Sequence, residues 1–374
     1  MRIGVPKEIK VHEYRVGMTP ASVREAVADG HEVLVERDAA SRQGLADADY
    51  VRAGAKVVTS AAEVFAGADL IVKVKEPQPA EIALLRAGQT LFTYLHLAAD
   101  PQQAEGLMQS GVTAIAYETV TDPRGGLPLL APMSEVAGRM AVQAGAHCLE
   151  MEQGGRGMLL GGVAGVAPAK VTVLGGGVAG INAVRMAIGL EAMVTVVDIN
   201  RDRLYAIDQQ FGAAVNTIFS TRQAVEDYVL DADLVIGAVL VPGAAAPKLI
   251  TRAHVEAMKP GSVIVDISID QGGCAETSRS TTHAAPIYVE HGVVHYCVSN
   301  MPGAVARTST FALNNATLPF ILALAAKGPD AALSDDPHLL AGLNVYRGRI
   351  THPAVAAAVD EPYCDPAVLT TSTT

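Results

Sequence analysis

The chain has 374 residues, half of them hydrophobic, with 4% aromatics, no Trp and 35 Gly. That length exceeds one compact core, so two domains are expected, and the composition excludes a disordered chain. A formal net charge of −11 speaks against nucleic acid or an anionic membrane surface as a partner, so an anionic small-molecule substrate would need its own cluster of cations.

From the N-terminus, short β-branched runs alternate with helix-like stretches. The runs are "HEVLVE" 31–36, "DLIVKVK" 69–75, "TLFTYLH" 90–96 and "VTAIAYETV" 112–120, and the stretches are "PASVREAVADG" 20–30, "PAEIALLRAG" 79–88 and "PQQAEGLMQSG" 101–111. Pro at the start and Gly at the end of such stretches are helix punctuation. Strand–helix alternation with apolar strands predicts a parallel sheet covered on both faces. The Gly/Pro-rich "DPRGGLPLLAP" 122–132 breaks the rhythm, and a long helix is predicted from about Ser134 to Glu152. A second alternating series follows: "MVTVVD" 193–198, "DLVIGAVLV" 233–241, "SVIVDISID" 262–270 and "VVHYCVSN" 293–300. A helix over 308–328, kinked near Pro319, precedes a tail without strand rhythm that is expected to pack back on the first lobe. The fold class is α/β, with two Rossmann-like doubly wound domains and a cleft between them. No apolar run escapes interruption by charge, Gly or Pro over the roughly 18 residues of a spanning helix, and no membrane association is expected. The N-terminus lacks a signal-peptide core, and Cys148, Cys274, Cys297 and Cys364 are scattered without a C-x-x-C pair. A reducing, cytoplasmic setting follows as the expectation.

"KVTVLGGGVAG" 170–180 is a strand running into a glycine-rich turn. Gly175 permits the tight turn, Gly177 lets the backbone approach a pyrophosphate, and Gly180 lets helix and strand pack closely. The next strand ends in Asp198, 18 residues beyond Gly180, placed to accept hydrogen bonds from ribose hydroxyls and to repel a 2′-phosphate. NAD is the expected cofactor. Arg201 and Arg203 leave NADP as the alternative, or are solvated charges at a helix start.

Ligands of open α/β sheets collect at the carboxyl ends of strands. There the first lobe offers Lys75 and His96, with Arg15 in the loop after the first strand; the second offers Asp270 and Asn300. Together they suit a small anion beside a nicotinamide. Each has a plainer alternative: Lys75 a solvated edge charge, His96 a hydrogen-bonded core histidine, Asp270 a turn cap before Gly272. His283, His291 and His295 lack ligand spacing, and no metal is expected.

The segments "RIGVPKEIKVHEYRVGMTP", "VKVKEPQ", "YLHLA", "LAPMSEVAGRMAVQAGA", "VTVLGGGVAGINAVRMAIGLEAMVTVVDIN", "VIVDISIDQGGCAETS" and "VSNMPGAVARTSTFALNNATLP" closely resemble the L-alanine dehydrogenase family, in collinear order over about residues 1–328. The resemblance implies oxidative deamination of L-alanine to pyruvate and ammonia, two Rossmann-like lobes with NAD on the second, and a homohexamer. It implies a discontinuous substrate domain, 1–128 with 305–374, and an NAD-binding domain, 129–304. By motif, Arg15 and Lys75 would bind the substrate, His96 would be the catalytic acid/base, and Asp270 its charged partner. Ser134, Asp198, Ser220, Leu240, Ile267 and Asn300 would line the NAD site with Gly175, Gly177 and Gly180. The fingerprint reads Gly-Gly-Gly where many relatives carry Gly-Ala-Gly, and the tail beyond 328 matches less clearly. Alternatives are the NAD-binding subunit of proton-translocating transhydrogenase, a saccharopine- or lysine-linked dehydrogenase, and an NAD-sensing protein without catalysis.

Overall fold

The computed structural model describes residues 1–240 and 246–367. Val241, the end of the predicted run 233–241, and residues 368–374 of the tail lie outside the described residues. In chain order the strands are β1 Arg2–Val5, β2 Glu32–Glu36, β3 Lys56–Val58, β4 Leu70–Val72, β5 Thr90–Thr93, β6 Thr113–Ala116, β7 Lys170–Leu174, β8 Met193–Asp198, β9 Val215–Phe219, β10 Leu234–Gly237, β11 Val263–Asp266, β12 Ile287–Glu290, β13 Val293–Tyr296, β14 Leu343–Tyr346 and β15 Arg349–Ile350. The chain divides into two compact units, Met1–Met133 with the chain from Val305, and Ser134–Ala304.

In the first unit the sheet runs β15-β14-β6-β5-β4-β1-β2-β3. Strands β1 to β6 pair in parallel, and the tail adds β14 antiparallel to β6 and β15 antiparallel to β14. In the second unit the order is β12-β13-β11-β10-β7-β8-β9, parallel except for the antiparallel edge strand β12. Both share the doubly wound order, which reverses between β1 and β4 in one unit and between β7 and β10 in the other. Such reversal points open a crevice beyond the strand ends. Strands β4, β5, β6, β10, β11 and β13 are buried at every position, as sheets covered on both faces require.

The helix punctuation works as its chemistry dictates. Pro20 and Pro101 open helices Pro20–Ala28 and Pro101–Ser110, with the side chains of Thr19 and Asp100 accepting from Ser22 N and Gln103 N, and Gly111 closes the second at φ +67°. Helix Ala306–Lys327 continues through Pro319 as one element. It lies in a segment, Met301–Lys327, that is long and apolar enough to cross a membrane by length and composition alone, contrary to the expectation from interrupted apolar runs. Here it is a core helix: Asn314 Oδ1 accepts from Thr19 N (2.7 Å) and Ser22 Oγ (2.9 Å), and Ser309, Thr310 and Thr317 are also buried.

Several expectations require correction. The stretch 79–88 is helical only over Pro79–Ile82, and the long helix is Ala131–Cys148. The tail does carry strands, β14 and β15. Most consequentially, the first unit's strands stop before their polar residues. Strand β4 ends at Val72 rather than Lys75, and β5 at Thr93 rather than His96. In the second unit β11 ends at Asp266 rather than Asp270, and β13 at Tyr296 rather than Asn300. In each case the chain leaves the ladder and turns first, so those side chains stand outside the sheet.

Candidate active site

In the second unit the turn after β7 needs its glycines. Gly175 has φ +96°, and a Cβ there would lie 2.8 Å from Ala238 O, at the end of neighbouring β10. A Cβ on Gly180 would lie 1.8 Å from Gly175 O, so helix Val178–Gly189 could not approach the turn with any larger residue. Gly177 is the N-cap of that helix and supplies no side-chain cap. The first N–H groups and the positive end of the helix dipole are thus suited to an anionic pyrophosphate. The extra glycine has its own reason: a Cβ on Gly176 would press within 2.7 Å of Ile207 Cδ1, which packs against the turn.

Asp198, buried at the end of β8, has structural partners of its own. Its Oδ2 accepts from Gly176 N at 2.6 Å and its Oδ1 from Asn200 N at 2.7 Å, so the carboxylate clamps the turn. Arg203 is exposed, and its guanidinium lies 3.2 Å from where a Gly177 Cβ would be. It is thus an exposed charge at the start of helix Arg201–Phe211 whose side chain reaches the glycine turn. Arg201 lines a shallow groove with Leu204, Thr217 and Phe219.

The other cofactor candidates share one edge of this sheet. Ser220 follows β9 and donates its N–H to Asp198 O (3.0 Å), exposed Leu240 follows β10, Ile267 follows β11, and Asn300, at φ +62°, follows β13. Ser134 stands apart, in the first turn of helix Ala131–Cys148. Asp270 is exposed in a 3₁₀ turn, Ile267–Gln271. The turn is held instead by Asp266, buried, which accepts from Ser268 N (3.0 Å), Cys274 N (2.8 Å) and Ser278 Oγ (2.6 Å). Asp270 is left to project from a clamped loop, and the turn-cap role belongs to Asp266.

In the first unit, Arg15 and Lys75 follow β1 and β4, at the reversal point, while His96 follows β5. Arg15 is buried. Its Nε and one terminal nitrogen donate to the two oxygens of Glu13 (2.7 and 2.6 Å), and the other terminal nitrogen lies 3.0 Å from Met133 Sδ. Burial opposes the charge, but the charge and hydrogen bonds of Glu13 outweigh it and the guanidinium pKa rises. The Nε edge of the fork is therefore committed to Glu13.

Lys75 Nζ lies 3.4 Å from Glu76 Oε2. Its backbone is fixed from below by Glu8, whose Oε1 accepts from Val74 N (2.7 Å) and Lys75 N (3.3 Å). Glu8 is tied to fully buried Lys73, which donates to Glu8 Oε2 (2.9 Å) and Glu81 Oε1 (2.7 Å). Burial alone would lower the Lys73 pKa; the two carboxylates reverse it and hold the ammonium charged.

His96 is not a core histidine. Its side chain is 46% exposed, and its backbone is left-handed at φ +52°, a conformation that costs a non-glycine residue about 1–2 kcal/mol. Glu118, in the 3₁₀ turn after β6, accepts from Leu95 N (3.2 Å) and His96 N (2.6 Å), and its Oε1 lies 3.9 Å from His96 Nδ1. The residues that sequence reasoning missed are the carboxylates Glu8, Glu13, Glu118 and Asp266, with Lys73. Glu13 stands two residues from Arg15, but Glu8 is 66 residues from Val74 and Glu118 is 22 from His96, so sequence proximity signals only the first.

A glycine turn over a helix without a side-chain cap, a strand-end carboxylate, and a row of residues just beyond the carboxyl ends of one sheet's strands define a dinucleotide-binding α/β protein of the dehydrogenase type. Residues 4–137 match the family described as "Alanine dehydrogenase/PNT, N-terminal domain" and residues 141–353 its C-terminal domain. The chain belongs to the alanine dehydrogenase/PNT family. It is 62% identical to the alanine dehydrogenase of Halomonas elongata over 369 residues, 99% of this chain and 100% of that one. A solved L-alanine dehydrogenase matches with a TM-score of 0.93 at 54% identity, over 96% of this chain and 99% of that one. A transhydrogenase from Sinorhizobium meliloti matches with a TM-score of 0.82 at 26% identity, over 94% and 100%.

Proposed function

We infer that this chain catalyses the reversible, NAD-dependent oxidative deamination of L-alanine to pyruvate and ammonia. The observation that carries the reading is full-length likeness to an alanine dehydrogenase at 62% identity, more than twice the 26% to the transhydrogenase. NAD, when bound, supplies the hydride acceptor for the alanine Cα–H. Gly175, Gly177 and Gly180 with the helix N-terminus would hold its pyrophosphate, Asp198 its ribose hydroxyls, and Ser134, Ser220, Leu240, Ile267 and Asn300 would line the remainder. Arg15 would anchor the substrate carboxylate through the edge that Glu13 does not take, and Lys75 would stabilise negative charge on the carbonyl oxygen. His96 would help water add to the imine and return the proton as ammonia leaves, while Asp270 balances the cations and orients water. On this reading the first unit is the substrate domain and the second the cofactor domain.

We also propose a homohexamer in a reducing cytoplasm. Exposed Met151, Leu159, Val163 and Val166 on one short segment support self-association, and a 38.8 kDa monomer in light scattering would exclude it. Supporting the compartment, the four cysteines are unpaired, and burial pushes the Cys148 and Cys297 thiols up to about 11.

The direct test is NAD reduction with L-alanine and NADH oxidation with pyruvate plus ammonium; absence of both would overturn the reading. Arg15→Lys sharpens it. A point charge replaces a fork shared between Glu13 and the substrate, so the pyruvate KM should rise about 10–100-fold, the span of one charged hydrogen bond, with the NADH KM unchanged. Equal changes in both constants would place Arg15 outside the substrate pocket.

A further inference from the structure

We infer that Glu118 is the positioning residue of the catalytic imidazole, orienting His96 so that Nδ1 faces a carboxylate and Nε2 exchanges protons with the substrate. The inference rests on the acid/base role given to His96 above. Strands β5 and β6 pair in parallel with Thr93 opposite Ala116, so both chains leave the sheet at one level. The turn Tyr117–Thr119 then brings Glu118 beside the turn that carries His96. Three contacts converge there. Glu118 Oε1 accepts His96 N at 2.6 Å and lies 3.9 Å from Nδ1, and both carboxylate oxygens accept Leu95 N at 3.2 Å. The carboxylate side chain is 13% exposed while the imidazole it serves is 46% exposed, so the charge is sheltered and the ring is presented.

The ring plane is set separately. His96 stacks on Tyr94, with centroids 5.8 Å apart and planes 6° apart, and Tyr94 is itself tied by its hydroxyl to Leu129 O. Different neighbours thus lie against the ring's face and on its Nδ1 side, leaving Nε2 as the ring nitrogen away from Glu118. An ionised carboxylate on the Nδ1 side stabilises the positive charge that forms when Nε2 takes a proton, the division of labour of an acid–histidine pair. Two titratable neighbours of the carboxylate have shifted pKa values. Burial pushes the Tyr94 hydroxyl up, and burial pushes the half-buried His352 imidazole down against the opposing charge of Glu118.

Glu118→Gln keeps an oxygen acceptor for the two backbone N–H groups and removes the charge. Its kcat should fall about 10–100-fold in both directions, within the range of general acid–base contributions, while the KM for NADH and the melting midpoint stay at wild-type values. The solvent isotope effect on kcat should grow as proton transfer becomes slower. Glu118→Asp, charged but shorter, should recover part of the loss. Wild-type kcat in Glu118→Gln, with His96→Ala inactive, overturns the positioning role and leaves Glu118 a backbone cap. Activity retained by His96→Ala overturns the underlying reading instead. Should Glu118→Gln fail to fold, Glu118→Asp carries the test: reduced kcat at unchanged NADH affinity supports the inference, and wild-type kcat overturns it.

Discussion

His96→Ala should abolish turnover in both directions, by about 10²–10⁴-fold, in a protein that melts normally and still binds NADH. The reason is where the residue sits. Its side chain is nearly half exposed on a turn beyond β5, so truncation opens no core cavity and removes no buried hydrogen bond. What holds the turn is the main chain, through Glu118 and the N–H groups of Leu95 and His96, and those contacts survive truncation. The glycines and Asp198 that would hold the nucleotide belong to the other unit. His96→Asn is the companion variant, because Asn tolerates a left-handed backbone better than most residues, so backbone strain can be separated from loss of the imidazole. The measurements are NADH fluorescence titration, thermal melting and the two-way assay on one preparation. Activity within a few-fold of wild type would remove His96 from the chemistry and leave Lys75 or Asp270 as acid/base.

The sheets were legible in the sequence because their central strands are short unbroken runs of Val, Ile and Leu, buried on both faces. The edges were not. Strand β9 has one buried position and β12 none, so neither shows a continuous apolar run. Strand β14, fully buried, is disguised by Asn344, whose amide donates to Thr119 Oγ1 (2.8 Å) and Gly342 O (3.0 Å) and so belongs in the core despite its polarity. The glycine fingerprint was legible at Gly175 and Gly180, where a positive φ in one case and a Cβ 1.8 Å from Gly175 O in the other leave glycine no substitute. Strand ends were read too far on because the mostly apolar runs reach Lys75, His96, Asp270 and Asn300 three or four residues after the strands have stopped. The supporting carboxylates were illegible for a different reason. Glu8, Glu13 and Lys73 read as ordinary surface charges until the fold buries them together, and burial of charge is a tertiary property that no local pattern carries.

Lys73→Met should be the most destabilising single change in the first unit, and should also weaken the substrate. Lys73 is fully buried and paired with Glu8 and Glu81, whose side chains are 2% exposed. Met fills a similar volume, so the loss is electrostatic: two carboxylates remain in a water-poor site with no cation between them. Removing one partner of a buried pair costs about 3–5 kcal/mol, which for a unit of this size lowers the melting midpoint by about 6–20 °C. The functional consequence follows from Glu8, which binds Lys73 through one oxygen and Val74 N and Lys75 N through the other. Once Lys73 is gone, Glu8 repels Glu81 and gains by protonation or by moving toward water, and either response loosens the main chain that aims Lys75. The pyruvate KM should therefore rise while the NADH KM does not. Replacing all three charges together, Lys73→Met with Glu8→Gln and Glu81→Gln, should recover much of the stability, because a neutral buried set carries no unpaired charge and Gln still offers an oxygen to the two N–H groups. Thermal melting of the single and triple variants decides the matter. A single variant as stable as the parent would mean that the site is hydrated and the pairing energetically idle.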